Sequence, residues 1–175
     1  MSSNNWMAGV QVFPGDFNGD GTANDLVVAN YGDDDISVLT NDNLGEFTIV
    51  DYSTGASGAG PLFIAVGDFV ANDKAGLVDI AIACDSNFAI VLQNTTSLVR
   101  GATFVLLPAA HAIPQPGDID PGDVNNDKDL DYICLDLASE EVRVLEGEGD
   151  GSVDSGPIGS VTGTSLPNGS EPVEL

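Results

Sequence analysis

Gly15-Asp16-Phe17-Asn18-Gly19-Asp20-Gly21-Thr22-Ala23-Asn24-Asp25-Leu26-Val27-Val28-Ala29-Asn30 runs an acidic loop straight into an apolar strand. Oxygen-bearing side chains stand at alternate positions, Asp16, Asn18 and Asp20, and Asp25 falls just before the strand. Glycine enters backbone conformations closed to other residues, so Gly19 and Gly21 let the loop curl until those side chains point at one centre. Hard carboxylate and amide oxygens at this spacing suit Ca²⁺, which takes roughly six to eight oxygen ligands. Asp25 is expected to close the cage.

The unit recurs. A short alternating strand at residues 9 to 13 precedes the loop, and further strands are predicted at 26–29, 36–39 and 47–50. Turns rich in Gly, Asp and Asn separate them, at Asn30 to Asp35 and at Asn41 to Gly45. The order begins again with Leu62-Phe63-Ile64-Ala65-Val66 ahead of Gly67-Asp68-Phe69, then strands at 79–84, 89–92 and 103–107. A third pass starts at Gly122-Asp123-Val124 and runs through strands at 131–135 and 142–145 to a weak one near 158–161. Asp16, Asp68 and Asp123 mark the phase, and no helical periodicity competes. Four short strands per unit of about fifty residues predict an all-β fold, a β-propeller of four-stranded antiparallel blades. About three blades are expected, at 8–56, 57–110 and 111–165, with 166–175 as a tail or the start of another.

The chain of 175 residues has 28 Asp and Glu against 4 Lys and Arg, a formal charge of −24. Phosphate recognition needs Lys and Arg, so nucleic acid and anionic membrane surfaces are excluded as partners. Apolar residues arrive in short strand-like runs, which argues against disorder. The negative charge is expected to await cations, although an acidic surface also serves solubility. Cys84 and Cys134 lie far apart in apolar runs and read as buried thiols. No run is long enough to cross a membrane as a helix, and no signal peptide is visible at the start.

The acidic loop, the Asp-apolar strand after it and the Gly-Glu-Gly-Asp-Gly turn at 147–151 together resemble FG-GAP/VCBS repeats. These are calcium-binding blades seen also in integrin alpha-subunit propellers. Gly58-Ala59-Gly60-Pro61 ahead of Ala65-Val66-Gly67-Asp68-Phe69 adds to the resemblance, which spans about residues 8 to 163. It implies side-chain ligands at the first, third, fifth and ninth loop positions and a backbone carbonyl at the seventh. The third loop fits without gaps: Asp123, Asn125, Asp127, the Asp129 carbonyl and Asp131. Its sixth position is Lys128 where glycine is expected, which weakens the turn. The first loop has one extra residue, so Thr22 is the expected carbonyl donor and Asp25 the closing ligand. The second keeps Asp68 and Asp79 but loses the alternation, leaving Asn72 or Asp73 as inward-facing candidates. Asp and Asn also cap turns with no metal present. An EF-hand is excluded, because it needs flanking helices and a glutamate where this chain has Val27 and Cys134.

No catalytic set emerges. The single histidine, His111, lies in an expected connector and lacks partners for a triad or a zinc site. Trp6, Tyr31, Tyr52 and Tyr132 are candidate ligand-facing aromatics, and Asn94-Thr95-Thr96 and Asn168-Gly169-Ser170 match the glycosylation sequon. Three blades leave two sheet faces to cover, so self-association or additional blades are expected. The leading expectation is an extracellular or cell-surface calcium-stabilised module, non-catalytic, for binding, adhesion or assembly. Its ligand would be a carbohydrate or a protein. A filament or sheath subunit, and a propeller part of a polysaccharide-acting enzyme, stand as alternatives.

Overall fold

The computed structural model describes residues 11–55, 60–71, 77–85, 88–96, 101–107 and 111–160. These are all-β, with no α-helix among them. Four strands, β1 (Val12–Gly15), β2 (Asp25–Asn30), β3 (Asp35–Asn41) and β4 (Phe47–Ser53), form the first antiparallel sheet in chain order. The second holds β5 (Pro61–Gly67), β6 (Asp79–Cys84), β7 (Phe88–Asn94) and β8 (Phe104–Leu106), again in order. A short β9 (His111–Ala112) adds to it by pairing with β7. The third comprises β10 (Pro116–Gly122), β11 (Asp131–Asp136), β12 (Glu141–Gly147) and β13 (Val153–Ser160). Among the described residues the three sheets do not close into a ring.

Strand positions broadly follow the sequence reading, but the last strand begins at Val153, five residues before the expected 158, and three further differences stand out. The first strand ends at Gly15, two residues beyond the expected 13. The third unit opens with a full strand, Pro116–Gly122, that the prolines at 116 and 121 disguised. His111 lies in a strand and not a connector, and pairs with β7 through Ala89.

The sheets stack because alternate residues of each strand point to opposite faces. In the middle sheet, Ile64, Ile80, Ile82, Cys84 and Leu92 face the first sheet, where they meet Val27, Ala29, Ile36 and Val38. Their neighbours Ala65, Ala81, Ala83 and Val91 face the third sheet and meet Ile119, Tyr132, Cys134 and Leu145. A sheet covered on both sides favours apolar residues on both faces, and in β6 all six residues are buried, apolar from Ile80 to Cys84 after the opening Asp79. Each buried Ile or Leu contributes roughly 1.5–3 kcal/mol by leaving water. The thiols of Cys84 and Cys134 are free and buried, and burial pushes each up to about 12. The leading strands lie together: β5 packs against β1 and β2 on one side and β10 on the other.

Candidate metal centre

The first loop is built on Gly15, where the ring of Phe17 folds back so closely that a Cβ would sit 2.8 Å from it. Asp16 then turns into the loop. Its Oδ1 accepts the amides of Gly19 (2.8 Å) and Asp20 (3.1 Å), and its Oδ2 accepts that of Gly21 (2.7 Å). Asn18 Oδ1 accepts the Asp20 amide at 2.9 Å, and Asp20 Oδ1 accepts the Thr22 amide at 2.9 Å. Asp16 and Asn18 thus share one donor, which draws their oxygens together.

The third loop repeats this pattern. Asp123 accepts the amides of Asp127 and Lys128, both at 3.2 Å. Asn125 Oδ1 accepts the Asp127 amide (3.0 Å), and Asp127 Oδ1 accepts the Asp129 amide (2.9 Å). The backbone agrees as well. Gly19 and Asn126 have φ of 75° and 64°, and Gly21 and Lys128 have 87° and 86°. Lys128 therefore occupies a left-handed turn suited to glycine, as the sequence implied. That conformation costs a side-chain-bearing residue roughly 1–2 kcal/mol. Replacing Lys128 with Gly is expected to raise stability by about 1 kcal/mol, after the added freedom of the unfolded chain is deducted. Chemical denaturation in the presence of calcium measures it.

The closing aspartates have a role that the sequence reading missed. Asp25, Asp79 and Asp131 are each fully buried. One carboxylate oxygen reaches back to a loop amide: Phe17 (3.0 Å) and Asn18 (3.0 Å), Val70 (2.9 Å), or Val124 (2.8 Å). The other oxygen accepts an amide at the end of the third strand: Asn41 (2.7 Å), Asn94 (2.8 Å) or Gly147 (3.1 Å). Each carboxylate therefore brackets its loop to the far hairpin of its own sheet. Burial pushes the Asp25 carboxyl up, and the amides it accepts pull the other way. The signal was present in the sequence as an aspartate opening every second strand.

Asp20 is held below the usual carboxylate range chiefly by the Asn43 side-chain amide, 2.8 Å away, which ties the loop to the β3–β4 turn. Beside this contact lies a cavity of about 480 Å³, lined among others by Asn18, Asp20, Asn41, Asp42 and Leu44. Among the described residues, no three Asp, Glu, His or Cys groups converge as a metal cluster. In both loops the oxygens meet backbone amides and asparagine. The Thr22 carbonyl accepts the Asn24 amide at 2.8 Å. Asp68 lies just past the end of β5, while Asn72 and Asp73 lie outside the described residues.

The donor chemistry still fits a hard divalent cation. A carboxylate offers about four acceptor sites. Asp20 uses one site on each oxygen, and so does Asp127, whose Oδ2 takes the Asn125 amide at 2.6 Å. Two of the three tyrosines, in contrast, serve the interior. Tyr52 donates to the Ala102 carbonyl at 2.7 Å, and Tyr132 is buried with its ring stacked on Phe69 at 4.7 Å. Tyr31 donates to the Asp85 carboxylate, linking the first two sheets. Asn94 is no glycan acceptor, since its buried side chain donates to the carbonyls of Phe17 and Val78. Trp6 and Asn168 lie outside the described residues.

Comparison with protein-family models, curated proteins and solved structures returned no match to this chain. No helix among the described residues is long and apolar enough to cross a membrane.

Proposed function

We propose that this chain is a calcium-stabilised β-propeller module that presents a binding surface outside the cell and carries out no catalysis. The observation behind it is the agreement of the first and third loops. They are more than a hundred residues apart, yet share the same acceptor pattern and the same two left-handed turns. Ordinary turn chemistry explains one such loop, but it does not require oxygens at the same alternate positions in both.

The first ion would be held by Asp16, Asn18, Asp20 and the Thr22 carbonyl. Asp25, whose oxygens already accept from Phe17, Asn18 and Asn41, would turn to it only by giving up the weak Asn18 side-chain contact at 3.5 Å. The second would be held by Asp123, Asn125, Asp127, the Asp129 carbonyl and Asp131. A bound cation neutralises the crowded carboxylates and so favours the folded loop. The leading strands β1, β5 and β10 lie side by side, as the innermost strands of neighbouring blades would. An extracellular setting supplies calcium at the levels that modules with modest affinity need. On this reading the cavity beside Asp20, with Asn18, Asn41 and Asp42 in its wall, would take a small polar ligand such as a carbohydrate.

Calorimetric titration of the metal-free chain with calcium tests the reading. Saturable binding is expected, reduced by Asp20→Ala and again by Asp127→Ala. The absence of any binding heat across temperatures would refute it.

A further inference from the structure

One stacking operation accounts for both apolar cores. Each sheet has a front face, carrying Leu26 and Val28, Ile80 and Ile82, or Tyr132 and Cys134. Its back face carries the alternate residues, Val27 and Ala29, Ala81 and Ala83, or Ile133 and Leu135. The back of the first sheet packs on the front of the second, and the back of the second on the front of the third. A loop residue reinforces each joint. Phe17 and Phe69 are buried, and their carbonyls accept Asn94 Nδ2 (3.0 Å) and the Gly151 amide (3.1 Å) from the sheet behind.

Among the described residues, two faces take part in neither core, though each holds one buried apolar residue, Val28 or Val144. The front of the first sheet aligns Leu26, Leu39 and Ile49 across three strands, and Ile49 is 59% exposed. The back of the third pairs Ile133 with Val144 and Leu135 with Val142, next to exposed Leu137. Val124 holds the loop position of Phe17 and Phe69 but is 50% exposed. The whole third loop is exposed from Asp123 to Lys128, whereas the first, with the same internal geometry, is partly covered by the second sheet.

We propose that the back face of the third sheet docks the front face of the first sheet of a second copy of this chain. Both halves of the joint are present on one molecule, and each continues an interface that the chain already makes twice. The inference stands on sheet stacking and not on the metal. Two copies supply six sheets, within the range of roughly four to eight at which propellers close. The joint is head-to-tail, so a rotation that fails to close yields a filament. A charge of −24 per chain opposes association, and added salt strengthens it by screening.

Light scattering on the chromatographed full chain, in calcium and moderate salt, tests the joint. The expected mass is that of two chains or more. Ile49→Lys removes the front half and Leu137→Lys the back half; both lower the net negative charge, so added repulsion does not explain a loss. Each variant alone is expected to run as a monomer with an unchanged circular dichroism spectrum. Mixed together they restore a pair, weaker than the parent because one joint forms in place of two. Should either unfold, Val12→Lys and Val124→Lys probe the same faces. A monomeric parent at every concentration would mean that some other sheet covers these faces, and it overturns the proposal. Persistent association of a single variant, or failure of the mixture to pair, overturns it equally.

Discussion

Asp79→Ala is expected to lower the stability of the fold by about 2–6 kcal/mol. Its carboxylate accepts the buried amides of Val70 and Asn94, at 2.9 and 2.8 Å. Alanine leaves both donors without their acceptor in the middle sheet, where each orphaned group costs roughly 1–3 kcal/mol. The total stability of a domain is about 5–15 kcal/mol, so the variant approaches the threshold of folding. Asp79→Asn retains one carbonyl acceptor and is expected to lose less. Urea denaturation in EDTA makes the comparison without any contribution from metal. Equal midpoints for the parent and Asp79→Ala would show that the bracket does not hold the sheet.

Chelation is expected to have an effect at least as large. An ion that binds only the folded loop stabilises it by about 4 kcal/mol per site at a thousandfold excess over its dissociation constant. In a chain of this length each kcal/mol moves the melting temperature by roughly 2–4 °C. Adding EDTA to the calcium-loaded chain is therefore expected to lower the melting temperature by about 10 °C for each occupied loop. Asp127→Ala is expected to remove the share of the third loop and leave that of the first. Its carboxylate accepts only the Asp129 amide and the exposed Asn125 side chain, so it carries little of the metal-free fold. A melting temperature indifferent to EDTA would remove calcium from the account.

The sheets were legible because their strands combine short apolar runs with punctuation by Gly, Asp and Asn. The strand Asp79–Cys84 was the plainest, since after its opening aspartate every residue is apolar and buried, on both faces of the middle sheet. Pro116–Gly122 was hidden because its two prolines, two glycines and two aspartates leave no alternating apolar pattern. Its inward Ile119 is a single apolar signal. His111–Ala112 is only two residues long, below what any pattern can mark.

The loops were legible in composition but not in role. Spacing alone placed Asp16, Asn18 and Asp20 around one turn, where a shared amide now links the first two. It also exposed the conflict at Lys128, which adopts the φ of Gly21. The bracketing by Asp25, Asp79 and Asp131 was not legible, because their partners Asn41, Asn94 and Gly147 lie a whole hairpin away. Asn94 misled in the other direction. Its sequon is a local pattern, whereas its burial follows from the packing of two sheets.

A crystal structure of the chain grown in calcium decides whether these loops hold ions and these sheets form blades. An anomalous peak is expected in the first loop and another in the third, each about 2.3–2.6 Å from the oxygens of alternate Asp and Asn side chains. The sheets are expected to fan about a shared axis. Loops without an ion at saturating calcium, or sheets laid out along a line, would contradict it.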